Sequence, residues 1–129
     1  MRLLLDTHIW LWSLQSPKLL GRRLLRELHS PANELWLSPI STWEALTWHE
    51  NGRVRLHGDL EEWVVQATAP FLEAPLTHEI AAAARRLSLA QRHPADRFLA
   101  ATALVLDLVL VTADASLLGL GEIATLGNR

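Results

Sequence analysis

The chain has 129 residues, half of them apolar and 20% charged, and its formal net charge of −2 supplies no basic field for nucleic acid. That length suits one domain, residues 1–129, with a sizeable core, and so apolar a composition excludes a disordered chain. Cys and Tyr are absent and Lys18 is the lone lysine, which excludes disulfides, Cys-ligated zinc, cysteine or tyrosine nucleophiles and a Gly-Lys-Ser/Thr phosphate loop.

The segment Met1 to Trp12 has the basic start and apolar run of a signal peptide, but Asp6 interrupts it and no small-residue cleavage site follows. No apolar stretch reaches the length of a membrane span, so a soluble cytoplasmic protein is expected. Leu3 to Leu5 reads as a buried strand that stops at Asp6. A helical pattern carries Ile9 to Leu14, and another runs from about Pro17 to His29. Leu35 to Leu37 is a second strand, and Ser38-Pro39 then supplies an N-cap and a first-turn proline. That helix is expected to continue to Asn51-Gly52, a C-terminal stop. Leu60 to Thr68 is a further helix, and Phe71 to Glu73 a third strand.

Thr77 caps a helix that runs through Ala81–Ala84 to about Ala90. His93-Pro94 breaks the chain and starts a helix reaching Leu106. Leu108 to Val111 is the fourth strand, and Ile123 to Thr125 a fifth at an edge. Near-continuous apolar strands separated by helices predict a mainly parallel sheet of four to five strands covered on both faces, an α/β/α sandwich.

On that scaffold the acids take on a pattern. Asp6 ends the first strand, and Asp114 lies just past the fourth. Asp96 falls in the first turn of the Pro94 helix, and Glu44 in the first half of the helix after the second strand. A parallel sheet gathers strand carboxyl ends and helix amino ends at one edge, where ligands bind. Like charges brought together there call for a hard divalent cation, Mg²⁺ or Mn²⁺. Such an ion polarises a phosphate and activates water, so phosphodiester hydrolysis needs no side-chain nucleophile. Each acid also has a structural reading: Asp6, Asp96 and Asp114 suit helix starts, and Glu44 suits an exposed helix face.

At these residues the sequence resembles the PIN-domain family, specifically the VapC-like toxin ribonucleases. Leu3-Leu-Leu-Asp6-Thr7-His8 is similar to the family's first-acid strand, and Ser38-Pro-Ile-Ser41-Thr-Trp43-Glu44 to its second-acid helix. Pro94-Ala-Asp96-Arg97 resembles the third-acid helix, and Thr112-Ala-Asp114 the fourth-acid turn. The resemblance implies a flavodoxin-like sheet and a metal-dependent endoribonuclease acting on RNA with one or two Mg²⁺ or Mn²⁺ ions. It also implies a homodimer inhibited by a small antitoxin. Asp6, Glu44, Asp96 and Asp114 would be its metal-binding catalytic acids, with Thr112 at a supporting hydroxyl position.

The sequence departs from the family pattern at His93, where an Asp is usual, at Trp48, where a Lys is common, and at Asp107, where a Gly is usual. His93 is expected to alter a supporting bond or substrate contact, and Arg97 to form an ion pair holding the site or to grip phosphate. Arg22, Arg23, Arg26, Arg53, Arg55, Arg85, Arg86 and Arg92 read as solvated faces or as a phosphate-holding rim. Trp10, Trp43 and Trp63 are expected in the core, and Trp12 and Trp48 at a subunit or antitoxin interface. A different class stays open: a non-catalytic PIN-like module that binds RNA or a protein partner. The Gly119-x-Gly121-x-x-Ala124 pattern is too close to the end of the sequence to open a dinucleotide-binding unit.

Overall fold

A computed structural model describes residues 1–89 and 93–129. Five strands, β1 (Arg2–Leu5), β2 (Glu34–Leu37), β3 (Leu72–Glu73), β4 (Val109–Val111) and β5 (Thr125–Leu126), form one sheet in the order β3-β2-β1-β4-β5. Every neighbouring pair is parallel, with Leu3 opposite Leu35 and Val109, and Val111 opposite Leu126. Parallel neighbours require crossover helices. These are α1 (Thr7–Gln15), α2 (Arg22–His29), α3 (Pro39–Glu50), α4 (Leu60–Thr68), α5 (His78–Arg86), α6 (Pro94–Leu106) and α7 (Ala115–Leu118).

Successive side chains of a strand point to opposite faces, and the sheet is buried on both. Leu4 and Leu110 join a small-residue core with Ala83, Ala84, Ala100, Ala101 and Leu99 from α5 and α6. Leu3, Leu5 and Val111 face the other way, into a core with Ile9, Trp10, Leu24, Ala45 and Ala67 from α1 to α4. The mainly parallel α/β architecture expected from the sequence is therefore present. Among the described residues, no helix is long and apolar enough to cross a membrane.

The predicted caps form. Ser38 accepts from the Ile40 amide and Thr77 from the Ile80 amide, both at 3.1 Å. The largest departure is the expected helix from Pro17 to His29. It divides into a single 3₁₀ turn, Pro17–Leu19, and α2, with extended Gly21 between them. The backbone of Arg129 passes directly over Gly21, where any side chain would collide with it. The Gly21 amide donates to Asn128 Oδ1 at 2.7 Å, and the Leu24 amide to the Arg129 carbonyl at 2.9 Å. A tertiary contact thus cuts a helix that local pattern favours. The α5 helix ends at Arg86, before the expected Ala90; Ala90 and Arg92 lie outside the described residues. The fifth strand is shifted by about two residues, to Thr125–Leu126.

Candidate active site

Strand order decides where the acids meet. The chain runs outward through β1, β2 and β3, then crosses back to β4 on the other side of β1. The crevice at the carboxyl ends of β1 and β4 is the switch point where open α/β sheets bind ligands. Asp6 follows β1 there, with its amide bonded to the Val111 carbonyl at 2.9 Å. Asp114 follows β4, Glu44 reaches in from the middle of α3, and Asp96 from the first turn of α6. All four line one cleft of about 400 Å³, together with His8, Trp12, Trp48, Arg53 and His93.

The two acids nearest the sheet are buried, each only 7% exposed. Asp6 is the residue before α1 but does not cap it. Its Oδ2 instead accepts a 2.7 Å hydrogen bond from the Thr112 hydroxyl, and that same oxygen of Thr112 accepts from the Asp114 amide at 3.0 Å. Thr112 therefore ties the first acid to the turn that carries the fourth. Glu44 has a matching hydroxyl: Thr7 Oγ1 donates to Glu44 Oε1 at 2.6 Å and lies 2.8 Å from Ser41 Oγ. Sequence reasoning assigned no role to Thr7 or Ser41. Their signal was Thr7 directly after Asp6, and Ser41 one helical turn before Glu44.

Burial pushes the carboxyl pKa of Asp6 up, opposed by the Thr112 hydrogen bond, and the nearby Asp96 charge raises it further. Glu44 is also pushed up by burial, opposed by Thr7, with Asp6 and Asp96 adding to the rise and His93 opposing it. His93 thus stands within electrostatic reach of the site. The rim acids have different surroundings. Asp96 and Asp114 are half-buried, and Asp114 Oδ1 caps α7 by accepting from the Ser116 and Leu117 amides at 2.8 and 3.3 Å. The helix-cap reading of Asp114 and its place in the cleft therefore both hold.

Other expectations need correction. Arg97 turns its guanidinium toward backbone, donating to the carbonyls of Ala84 (2.9 Å), Leu87 and Leu89. It closes the C-terminal end of α5, so its hold on the site runs through α5–α6 packing. Trp10 is fully buried and Trp63 half-buried, but Trp43 is 56% exposed. Adjacent residues lie about 100° apart around a helix, so Trp43 turns away from the face that carries Glu44. It borders an almost wholly apolar groove with Ile40, Leu76 and Pro94, which reaches the acid cleft at His93. Trp12 and Trp48 line the acid cleft itself. Asp107 ends α6 in the left-handed conformation, φ 55°, which explains why a glycine suits that place.

The donor set suits a hard divalent cation: carboxylate oxygens only, two of them raised in pKa by burial and mutual repulsion. Among the described residues, no three His, Asp or Glu side chains form a ready-made ion cage. An open carboxylate site fits Mg²⁺, which keeps several waters and takes one or two protein carboxylates with substrate phosphate.

The PIN-domain family model matches residues 3–122. No curated protein matches the chain by sequence. Among solved structures, the chain is similar to VapBC2 from Rickettsia felis bound to a promoter DNA fragment, at 14% identity, full coverage of both chains and a TM-score of 0.73. DNA-bound VapBC from Salmonella typhimurium matches at 16% identity over 100% of this chain and 99% of that one, TM-score 0.72. A toxin–antitoxin complex from Klebsiella pneumoniae matches at 20% identity over 98% and 97%, TM-score 0.64. At these identities the likeness is one of fold.

Proposed function

Because the chain belongs to the PIN-domain family, we propose that it is a metal-dependent endoribonuclease and the toxin of a toxin–antitoxin pair, working in the cytoplasm. The observation that carries this reading is the convergence of Asp6, Glu44, Asp96 and Asp114 on one cleft at the sheet's switch point. One or two Mg²⁺ or Mn²⁺ ions held by these acids would polarise the RNA phosphate and lower the pKa of the attacking water. Thr112 holds Asp6, and Thr7 with Ser41 holds Glu44, so neutral hydroxyls fix the direction of both buried acids. RNA lies across the carboxyl edge of the sheet, and His93 borders its path.

The partner is a small antitoxin protein, and the working unit a homodimer. An exposed apolar surface at Trp43 and Leu76, continuous with the acid cleft at His93, supports a protein partner that covers the site. The structural likeness to toxin–antitoxin complexes supports the same reading.

The test is cleavage of a structured RNA in Mn²⁺ by the parent chain and by Asp6→Asn. Cleavage by the parent that falls to background in the variant is expected. Equal rates would sink the mechanism, and RNA binding without any metal-dependent cleavage would mark a non-catalytic module.

A further inference from the structure

The cleft does not end at its acids. Between α1 and α3 it opens into a second recess of about 380 Å³, with Gln15 and Ser16 on its wall. His8, Trp12, Trp48 and Arg53 line both spaces. Helical spacing makes the cluster: His8 and Trp12 are one turn apart on α1, and Trp48 is one turn beyond Glu44 on α3. The His8 ring centroid lies 5.6 Å from that of Trp12 and 4.7 Å from that of Trp48. Arg53 holds its guanidinium 5.5 Å from the Trp48 ring centroid.

Packing explains only part of this arrangement. Trp12 and Trp48 are half-buried and rest their inner edges on the core beneath α1 and α3. His8 and Arg53, however, are exposed, so a flat ring and a cation sit at the open side of two indoles.

RNA needs such a place. The cleft is lined by four carboxylates and the chain's net charge is −2, so long-range attraction gives the strand little hold. Nucleobases are uncharged, and every base has a π-face that stacks on aromatic rings and on arginine. We infer that the recess takes an unpaired nucleobase next to the phosphate held at the acids, with Arg53 paired to the adjoining phosphate. This rests on the nuclease reading above and requires the base at that position to be unpaired. A base inside an A-form helix stays stacked on its neighbours and does not reach the recess. Gln15, whose amide nitrogen donates to the Arg55 carbonyl at 2.8 Å, and Ser16 offer polar edges to the inserted base.

Binding is measured in EDTA, where no cleavage occurs, by fluorescence anisotropy of a short end-labelled RNA. The parent is expected to bind the single strand, with the same sequence as a duplex bound roughly tenfold more weakly. Trp48→Leu and Trp12→Leu are each expected to weaken single-strand binding about tenfold or more, and Trp48→Phe to retain most of it. An abasic position in the oligonucleotide should weaken binding to the parent and leave Trp48→Leu unaffected. Thermal melting confirms that each variant is folded. Single-strand binding unchanged in Trp48→Leu, equal affinity for the duplex, or no measurable binding in EDTA overturns the inference. If metal-dependent cleavage is still lost in Asp6→Asn, only the base recess falls; if the parent neither binds nor cleaves RNA, the nuclease reading falls with it.

Discussion

Asp6 and Glu44 lie against the sheet, buried and held by the hydroxyls of Thr112 and Thr7, whereas Asp96 and Asp114 stand at the rim on the first turns of helices. Both pairs are carboxylates in one cleft, yet their surroundings differ. Burial and neighbouring negative charge work against ionisation of the inner pair. A helix N-terminus favours an anion at the rim, and Asp114 adds two amide bonds to α7. The inner acids are thus kept at a cost to stability, while Asp114 adds a helix cap that contributes to it.

The largest test of that contrast is Asp6→Asn. It should abolish Mn²⁺-dependent cleavage while raising the melting temperature of the metal-free protein, since a buried charge is removed. Mn²⁺ should raise the melting temperature of the parent and scarcely move the variant's. A variant that loses both cleavage and stability would break the comparison. The sign with pH follows from the same raised values. Neutral Asp6 and Glu44 favour the fold, so their contribution is complete at and below the ordinary carboxylate range and is lost as pH rises through the raised pKa values. Melting at stepped pH should show that loss flattened in Asp6→Asn.

Thr112→Val keeps shape and removes the donor to Asp6. Metal affinity measured by titration calorimetry should fall about ten- to a hundredfold, with the fold intact. Asp114→Ala should lower stability by about 1 kcal/mol through its lost cap, the opposite sign to Asp6→Asn, and also weaken cleavage. The smallest effect belongs far from the cleft. Asp107→Gly relieves a left-handed backbone and should stabilise the protein by roughly 0.5 kcal/mol without altering cleavage.

What could be read in advance divides along a physical line. Caps and strands are local, so Ser38, Thr77 and the apolar runs at Leu3–Leu5 and Leu35–Leu37 declared themselves. The four acids were legible because parallel topology sends strand ends and helix starts to one edge. The break at Gly21 was not, because it depends on residues about a hundred positions away passing over it. The roles of Thr7 and Ser41 were not legible, because they exist only once the fold brings Glu44 and Ser41 beside Thr7. The place of Trp12 and Trp48 in the cleft follows from helical phase, one turn from His8 and one turn from Glu44.

The hydrogen bond from Thr112 to Asp6 joins residues 106 positions apart. Closing so long a loop is among the slowest steps in assembling a parallel sheet, because its entropy is lost before the contact forms. A ribosome releases β1 well before β4. Until β4 docks beside β1, Asp6 has neither Thr112 nor Asp114 near it, and the cleft does not exist. A partly made chain therefore lacks the gathered acids, and on the proposed function it would stay silent until the last crossover closes.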